Sequence, residues 1–228
     1  MNHAAARPRR RAAHSRAPRA EGTATRERLL GAATRLFSEH GFEHVAVRDI
    51  CREAGANLAA VNYHFGDKLG LYLAVVDVAI AIALEVNALT MDAGADRSTE
   101  DRFRHYVRTY VGQLMNIDAR TSWCHQLIQH EQVEPTPAAS AFFEQAIRPR
   151  IAYLRTVIAD LIGCPPDDTR VSRSIAGVQA QCLFYRPDPF RLAVLGEWPV
   201  GTDSADAVAD HIIAFSLAGI RALSRSDP

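Results

Sequence analysis

Residues 46–68 read AVRDICREAGANLAAVNYHFGDK. Val47, Ile50 and Ala54 fall on one side of a short helix, 47–54, and a second short helix fits 58–65. Between them Gly55 supplies a left-handed turn position, which glycine adopts without steric cost. Asn57 is a good N-cap for the second helix, because its side-chain oxygen can accept a free backbone N–H of the first turn. Gly66-Asp67 breaks the chain again, and Asp67 can cap a long helix over 68–91. Upstream, Leu29, Ala33, Leu36 and Phe37 form one stripe of a helix predicted from about Thr25 to His40, which Gly41 stops. Three short helices with a tight glycine turn between the last two make the helix-turn-helix pattern.

At 100° per residue, Leu58, Val61 and Phe65 share one side of the 58–65 helix and can pack on the two helices before it. Ala59, Ala60 and Tyr63 point the other way, with Asn62 and His64 on the flanks. That outward set is small, aromatic or hydrogen-bonding, as groove readout requires. Asn62 can pair with an adenine edge and Ala59 or Ala60 can touch a thymine methyl. Tyr63 and His64 can donate to phosphates. The competing reading is that these side chains only decorate a helical surface. Lys68 weighs against it. It is the only lysine, against 25 arginines, and it stands in the first turn of a helix, where a cation is disfavoured by about 0.3–1 kcal/mol. A phosphate beside it reverses that sign. An ordinary solvated lysine is the alternative.

Outside this stretch the 228 residues balance 26 basic against 26 acidic side chains, but unevenly. Residues 1–68 carry a net +5 and residues 69–228 a net −5. A basic front on an acidic body suits contact with a polyanion, and a solvated basic tail is the alternative. Residues 1–22 lack apolar periodicity and read as a disordered, Arg-rich arm that can add DNA contacts. Their composition also resembles a transit peptide, although an unstructured arm needs no organelle. Cys51, Cys124, Cys164 and Cys182 have neither C-x-x-C nor zinc-ligand spacing and read as free thiols of a cytoplasmic protein. The most apolar run, 69–89, carries Asp77 and Glu85, which argues against a membrane span.

The remainder reads all-α. Helices are predicted over about 100–116, 120–133, 137–162 with a kink at Pro149, 168–185 and 204–223. A loop with one short helix is expected over 186–201. On the last helix Val208, Ile212, Phe215, Gly219 and Ala222 share a face. Nine histidines invite a search for chemistry, but His125 and His130 are five apart, not the four that two ligands on one helical face need. His130-Glu131 lacks the second histidine of a zincin. No nucleophile elbow or phosphate loop occurs, so neither an enzyme nor a cofactor or metal is expected.

The stretch from Thr25 to about Ala83 resembles the DNA-binding domain of TetR-family regulators. The resemblance rests on AATRLFSEHGFEHVAVRDICREAGA and NLAAVNYHFGDKLGLYLAV. It implies that the 58–65 helix enters the major groove of double-stranded operator DNA, with Arg48, Asn57, Leu58, Ala59, Ala60, Asn62, Tyr63 and His64 at the interface and Lys68 on a phosphate. Leu58 is ambiguous, inward on the wheel and near DNA by resemblance. Ala46 departs from the Ser or Thr usual there, which removes a capping hydroxyl and costs roughly 0.5–2 kcal/mol. EQVEPTPA, IRPRIAYLRTVIADLIG and SIAGVQAQCLFYR resemble the CecR-like subgroup, which is linked to drug sensitivity and efflux control.

The expected organisation is therefore an arm over 1–22, a DNA-binding domain over 23–83 with its motif at 46–65, and a helical effector and dimerisation domain over 84–228. The family builds a homodimer from its last two helices, here 168–185 and 204–223, where Gly177, Ala180, Ala218 and Gly219 allow close approach or serve packing within the chain. Trp123, His125, Gln126, Gln129, His130, Phe142, Phe143 and Gln179 are candidates to line a small-molecule effector pocket. The resemblance implies a repressor whose two recognition helices stand roughly 35 Å apart and which an effector releases. The alternative is a DNA-binding protein whose C-terminal domain only dimerises or binds a protein.

Overall fold

The computed structural model describes residues 17–92, 94, 96–115, 119–186, 193–194 and 204–224; every regular element among them is helical. The chain forms two compact units that divide between Ala74 and Val75.

The first unit holds α1 (Ala17–His40), α2 (Val47–Ala54), α3 (Leu58–Phe65) and the start of α4 (Lys68–Met91). α1 begins two turns before the expected Thr25, so residues 17–22, assigned to the disordered arm, are helical. Alanine and arginine are strong helix formers, and a proline in a first turn loses no hydrogen bond. Residues 1–16 lie outside the described residues. Leu29, Ala33, Phe37, Ile50, Val61, Leu71 and Tyr72 form the fully buried centre of this unit. Phe37 and Tyr72 meet edge to face at 5.0 Å, and Phe42 lies 4.8 Å from Tyr72.

The second unit holds the rest of α4, α5 (Thr99–Met115), α6 (Ala119–Val133), α7 (Ala139–Phe142), a π-helical turn (Phe143–Ile147), α8 (Arg148–Ile162), α9 (Thr169–Phe184) and α10 (Ala205–Ser224). The Ser98, Asp168 and Ser204 side chains accept from first-turn N–H groups of α5, α9 and α10 at 3.1, 2.7 and 3.2 Å. The core joins one face of each of four helices. Phe103, Tyr106 and Val107 come from α5, Leu154 and Ile158 from α8, Val171 and Val178 from α9, Ile212 and Leu217 from α10. Of the loop expected over 186–201, only 186 and 193–194 are described.

The helix predicted over 137–162 is divided. Pro149 has no N–H for the preceding turn and its ring collides with the carbonyl four residues back, so the chain widens into a π turn just before it. Beside that turn Phe142 is buried, whereas Phe143 is 48% exposed. Buried Asn87 donates to the Ala146 carbonyl within the turn at 2.5 Å.

α4 and α10 are long and apolar enough to cross a membrane by composition alone. α4 buries Val75, Val76, Ala79 and Ile80 and exposes Asp77 and Glu85. α10 is apolar on two faces. Val208, Ile212, Ile213 and Leu217 enter the core, while Phe215, expected beside Val208 and Ile212, is 66% exposed with Ala218 and Gly219.

Candidate nucleic-acid interface

The recognition segment is fixed from both ends. Gly55 closes α2 at φ 58°, ψ 40°, in the left-handed region. The Asn57 side chain accepts from the Ala60 N–H at 2.9 Å, as an N-cap does. Val61 alone in α3 is fully buried and anchors it. Phe65 is half-buried with the Arg26 guanidinium 5.1 Å above its ring. Leu58 is 57% exposed, which settles its ambiguity outward and corrects the wheel reading. A helix this short needs only one deep anchor, so its first residue can point away from the core.

The residues expected to meet DNA differ in exposure. Arg48, Asn57, Leu58, Ala59, Asn62 and Tyr63 are exposed; Ala60, His64 and Lys68 are half-buried. Tyr63, 84% exposed, is the most accessible large apolar side chain described, and its ring meets His64 at 4.8 Å. Such a face offers amide, hydroxyl and imidazole groups beside two methyls, with no carboxylate in the first turn of α3.

Lys68 is held rather than loose. Its Nζ lies 4.4 Å over the Phe42 ring and donates to the Glu43 carbonyl at 3.4 Å. Phe42 in turn leans on core Tyr72, so the ammonium is positioned by the aromatic cluster beneath it. Asp67 caps α4 through the Gly70 N–H at 2.7 Å. Gly70 itself is required, because a Cβ there would lie 1.9 Å from the Phe65 carbonyl oxygen. Sequence reasoning missed Phe42, Glu43 and Gly70. The Gly41-Phe42 pair and the glycine two residues after Lys68 were the available signals.

α2 opens without a side-chain cap at Ala46, as its methyl requires. Asp49 pairs with Arg52, Arg35 with Glu53, and Arg28 donates to the Ala54 carbonyl at 3.0 Å. Arg48 has no ion pair among the described residues and borders, with Ala46, Arg52 and Leu58, a concavity of about 550 Å³.

In the second unit the expected effector residues separate. Gln126, Gln129 and Phe143 are exposed, the last beneath Arg148. Phe142 is buried; Trp123, His125, His130 and Gln179 are half-buried. Gln179 belongs to a polar group the sequence did not reveal. Arg150 donates at 3.0 Å to both the Tyr106 hydroxyl oxygen and the Gln179 carbonyl, and lies 4.1 Å over the Tyr110 ring. Burial pushes the Tyr106 hydroxyl up to about 12. Burial, then the charges of Arg186 and Arg150, hold the His125 imidazole below its ordinary value. Among the described residues no cluster of three or more His, Cys, Asp or Glu could hold a metal.

Residues 29–75 match the family model for bacterial regulatory proteins of the tetR family, and residues 99–220 match that for the C-terminal domain of the HTH-type transcriptional dual regulator CecR. CecR of Shigella flexneri is 30% identical over 175 residues, covering 73% of this chain and 77% of that protein. The repressor AcnR of Corynebacterium glutamicum is 42% identical over 53 residues, 23% of this chain and 28% of that protein. Among solved structures, AibR in complex with isovaleryl coenzyme A and operator DNA superposes with TM-score 0.60 at 16% identity, covering 84% of this chain and 97% of that one. The chain therefore belongs to the TetR family of DNA-binding transcriptional regulators, with a CecR-type C-terminal domain.

Proposed function

We propose that this regulator is a cytoplasmic homodimeric repressor that reads operator DNA with α3 and is released by a small-molecule effector bound in the second unit. The observation that carries the reading is the exposed face of α3 beside an ammonium already positioned at the start of α4. In this reading Asn62 reads a base, Ala59, Ala60 and Leu58 meet thymine methyls or sugar, and Arg48, Asn57, Tyr63, His64 and Lys68 hold phosphates. The AibR complex, which holds isovaleryl coenzyme A and operator DNA together, supports a small-molecule site beside the operator site on this fold; release of the operator by the effector is our own step beyond it. AcnR is named a repressor and CecR a dual regulator, so repression is the expected principal output. A ligand releases the operator only if it binds the released form more tightly, and α4, which contributes residues to both units, is the element through which it acts.

Dimerisation is supported by the second apolar face of α10 and its neighbour α9. Gly177 and Gly219 are exposed and a Cβ on either would meet nothing, so packing within the chain does not explain them. Phe184, Tyr185, His211 and Phe215 border an open concavity of about 420 Å³ there.

The test contrasts two substitutions. Lys68→Ala is expected to weaken binding to all duplexes alike and to lower the salt slope by about 1. Asn62→Ala is expected to relax preference at one operator base at a cost of about 1–3 kcal/mol for the preferred sequence. Unchanged salt dependence in the first and superimposable specificity profiles in the second would remove both roles.

A further inference from the structure

Arg150 leaves the first turn of α8, immediately after the π turn, and is half-buried. Burial is the largest single influence on its guanidinium and opposes the charge, the Tyr110 and Tyr106 phenols more than offset it and raise the group above its ordinary value, and the residue keeps some exposed area. Its Nη1 is spent on Tyr106 and Gln179, and the Tyr110 hydroxyl also engages the guanidinium. No Asp or Glu pairs with it among the described residues. The edge formed by Nε and Nη2, the fork that grips a carboxylate through two parallel bonds, therefore has no acid on it. Tyr106 points to the same conclusion. Its hydroxyl oxygen accepts from Arg150 and, at 2.8 Å, from Gln179, and no described acceptor takes its own proton. A second guanidinium, Arg186, is close enough to act on both His125 and Tyr110.

A guanidinium drawn partly out of water is completed best by an anion. Arg150 sits with the phenols of Tyr106 and Tyr110 and the Gln179 amide, and no acid pairs with it among the described residues. The walls around it are aromatic. The Tyr110 and Tyr153 rings stand 6.0 and 6.2 Å from that of Tyr106, and the buried Tyr153 hydroxyl has no hydrogen-bond partner among the described residues. Fork and rings together suit a carboxylate carried on an apolar body, more than a fully hydrated inorganic anion. We infer that the effector is a small organic carboxylate with an apolar or aromatic body, gripped by Arg150 and oriented by Tyr106 and Gln179. The inference rests on the effector reading above and names its ligand class.

The test uses the full chain and a panel of benzoate, salicylate, phenylacetate and hexanoate, each beside its neutral amide, with inorganic phosphate as a further arm. At about a hundredfold excess over Kd, at least one acid is expected to raise Tm by roughly 5 °C while its amide and phosphate do not. R150M is expected to weaken that acid about 10- to 100-fold, the worth of a charge-assisted hydrogen bond. R150K, which keeps the charge and loses the fork, is expected to weaken it less. If R150M does not fold, an unchanged Kd in R150K overturns the site. So does an amide or phosphate that matches the acid, a panel in which no acid shifts Tm, or an R150M that still binds. Operator release separates the two ideas. An acid that binds through Arg150 and leaves the operator complex intact keeps the site and sinks the effector reading. An amide that releases operator from R150M keeps the effector reading and sinks the site.

Discussion

Single side chains carry the chemistry of this regulator, and each is tuned by a neighbour far from it in sequence. Lys68 gains its position from Phe42 and Glu43, and the His125 imidazole is held below its ordinary value by burial and by the charges of Arg186, just beyond α9, and Arg150 on α8. The second effect makes a pH prediction. The folded state holds His125 below the value near 6.5 of an unfolded chain, so it binds fewer protons than the unfolded state. Its contribution is complete above that value and is lost as pH falls from about 6.5 toward the folded value, with a limiting slope of about 1.4 kcal/mol per unit. Melts of wild type and His125→Gln between pH 7.5 and 5.5 check this: the variant should lose less stability on acidification, and parallel losses would exclude the effect. Of the outward set Ala59, Ala60 and Tyr63, helical period alone places Ala59 and Tyr63, which are exposed, while Ala60 is half-buried and flanking Asn62 is exposed. Phe42 under Lys68 and Arg150 among the tyrosines were not legible in the sequence, because those contacts join residues that only the packed helices bring together.

At the scale of elements, α2, α3 and α4 begin and end where the sequence put them, since Gly55, Asn57, Gly66 and Asp67 act locally. α1 and α8 do not. The extra turns of α1 depend on residue propensity, which leaves no apolar stripe to read, and the π turn depends on how Pro149 is accommodated upstream. Two substitutions test this level. Ala46 already has the extended conformation of an N-cap, φ −90°, ψ 139°, without an acceptor. Ala46→Ser is therefore expected to stabilise the protein by about 0.5–2 kcal/mol in denaturant titration; a loss of stability would contradict the cap account. Gly70→Ala drives a methyl into the Phe65 carbonyl at the junction of α3 and α4. A destabilisation of about 1–3 kcal/mol, with a larger fall in DNA affinity, is expected from thermal melts and binding titrations. A variant with unaltered operator affinity would show that α3 does not depend on that close approach.

For the whole molecule, the informative feature is an apolar surface without a covering. α10 spends one face on the core and leaves Phe215, Ala218 and Gly219 open, with Gly177 and Phe184 open on α9. The sequence showed the small residues but could not say whether they served this chain or a second copy; their empty surroundings favour the second. Phe215→Glu leaves the core untouched and is expected to convert a dimer to a monomer in size-exclusion chromatography with light scattering. Operator affinity should fall because two half-sites are no longer bound as one event. A variant that stays dimeric would move the interface elsewhere.

Selection of duplexes from a random pool by the purified full-length chain, in dilute salt, tests the central claim most directly. The α3 account predicts enrichment of paired half-sites related by two-fold symmetry, with centres a whole number of helical turns apart, one turn being roughly 35 Å. A recovered pool that matches the input in sequence would contradict it.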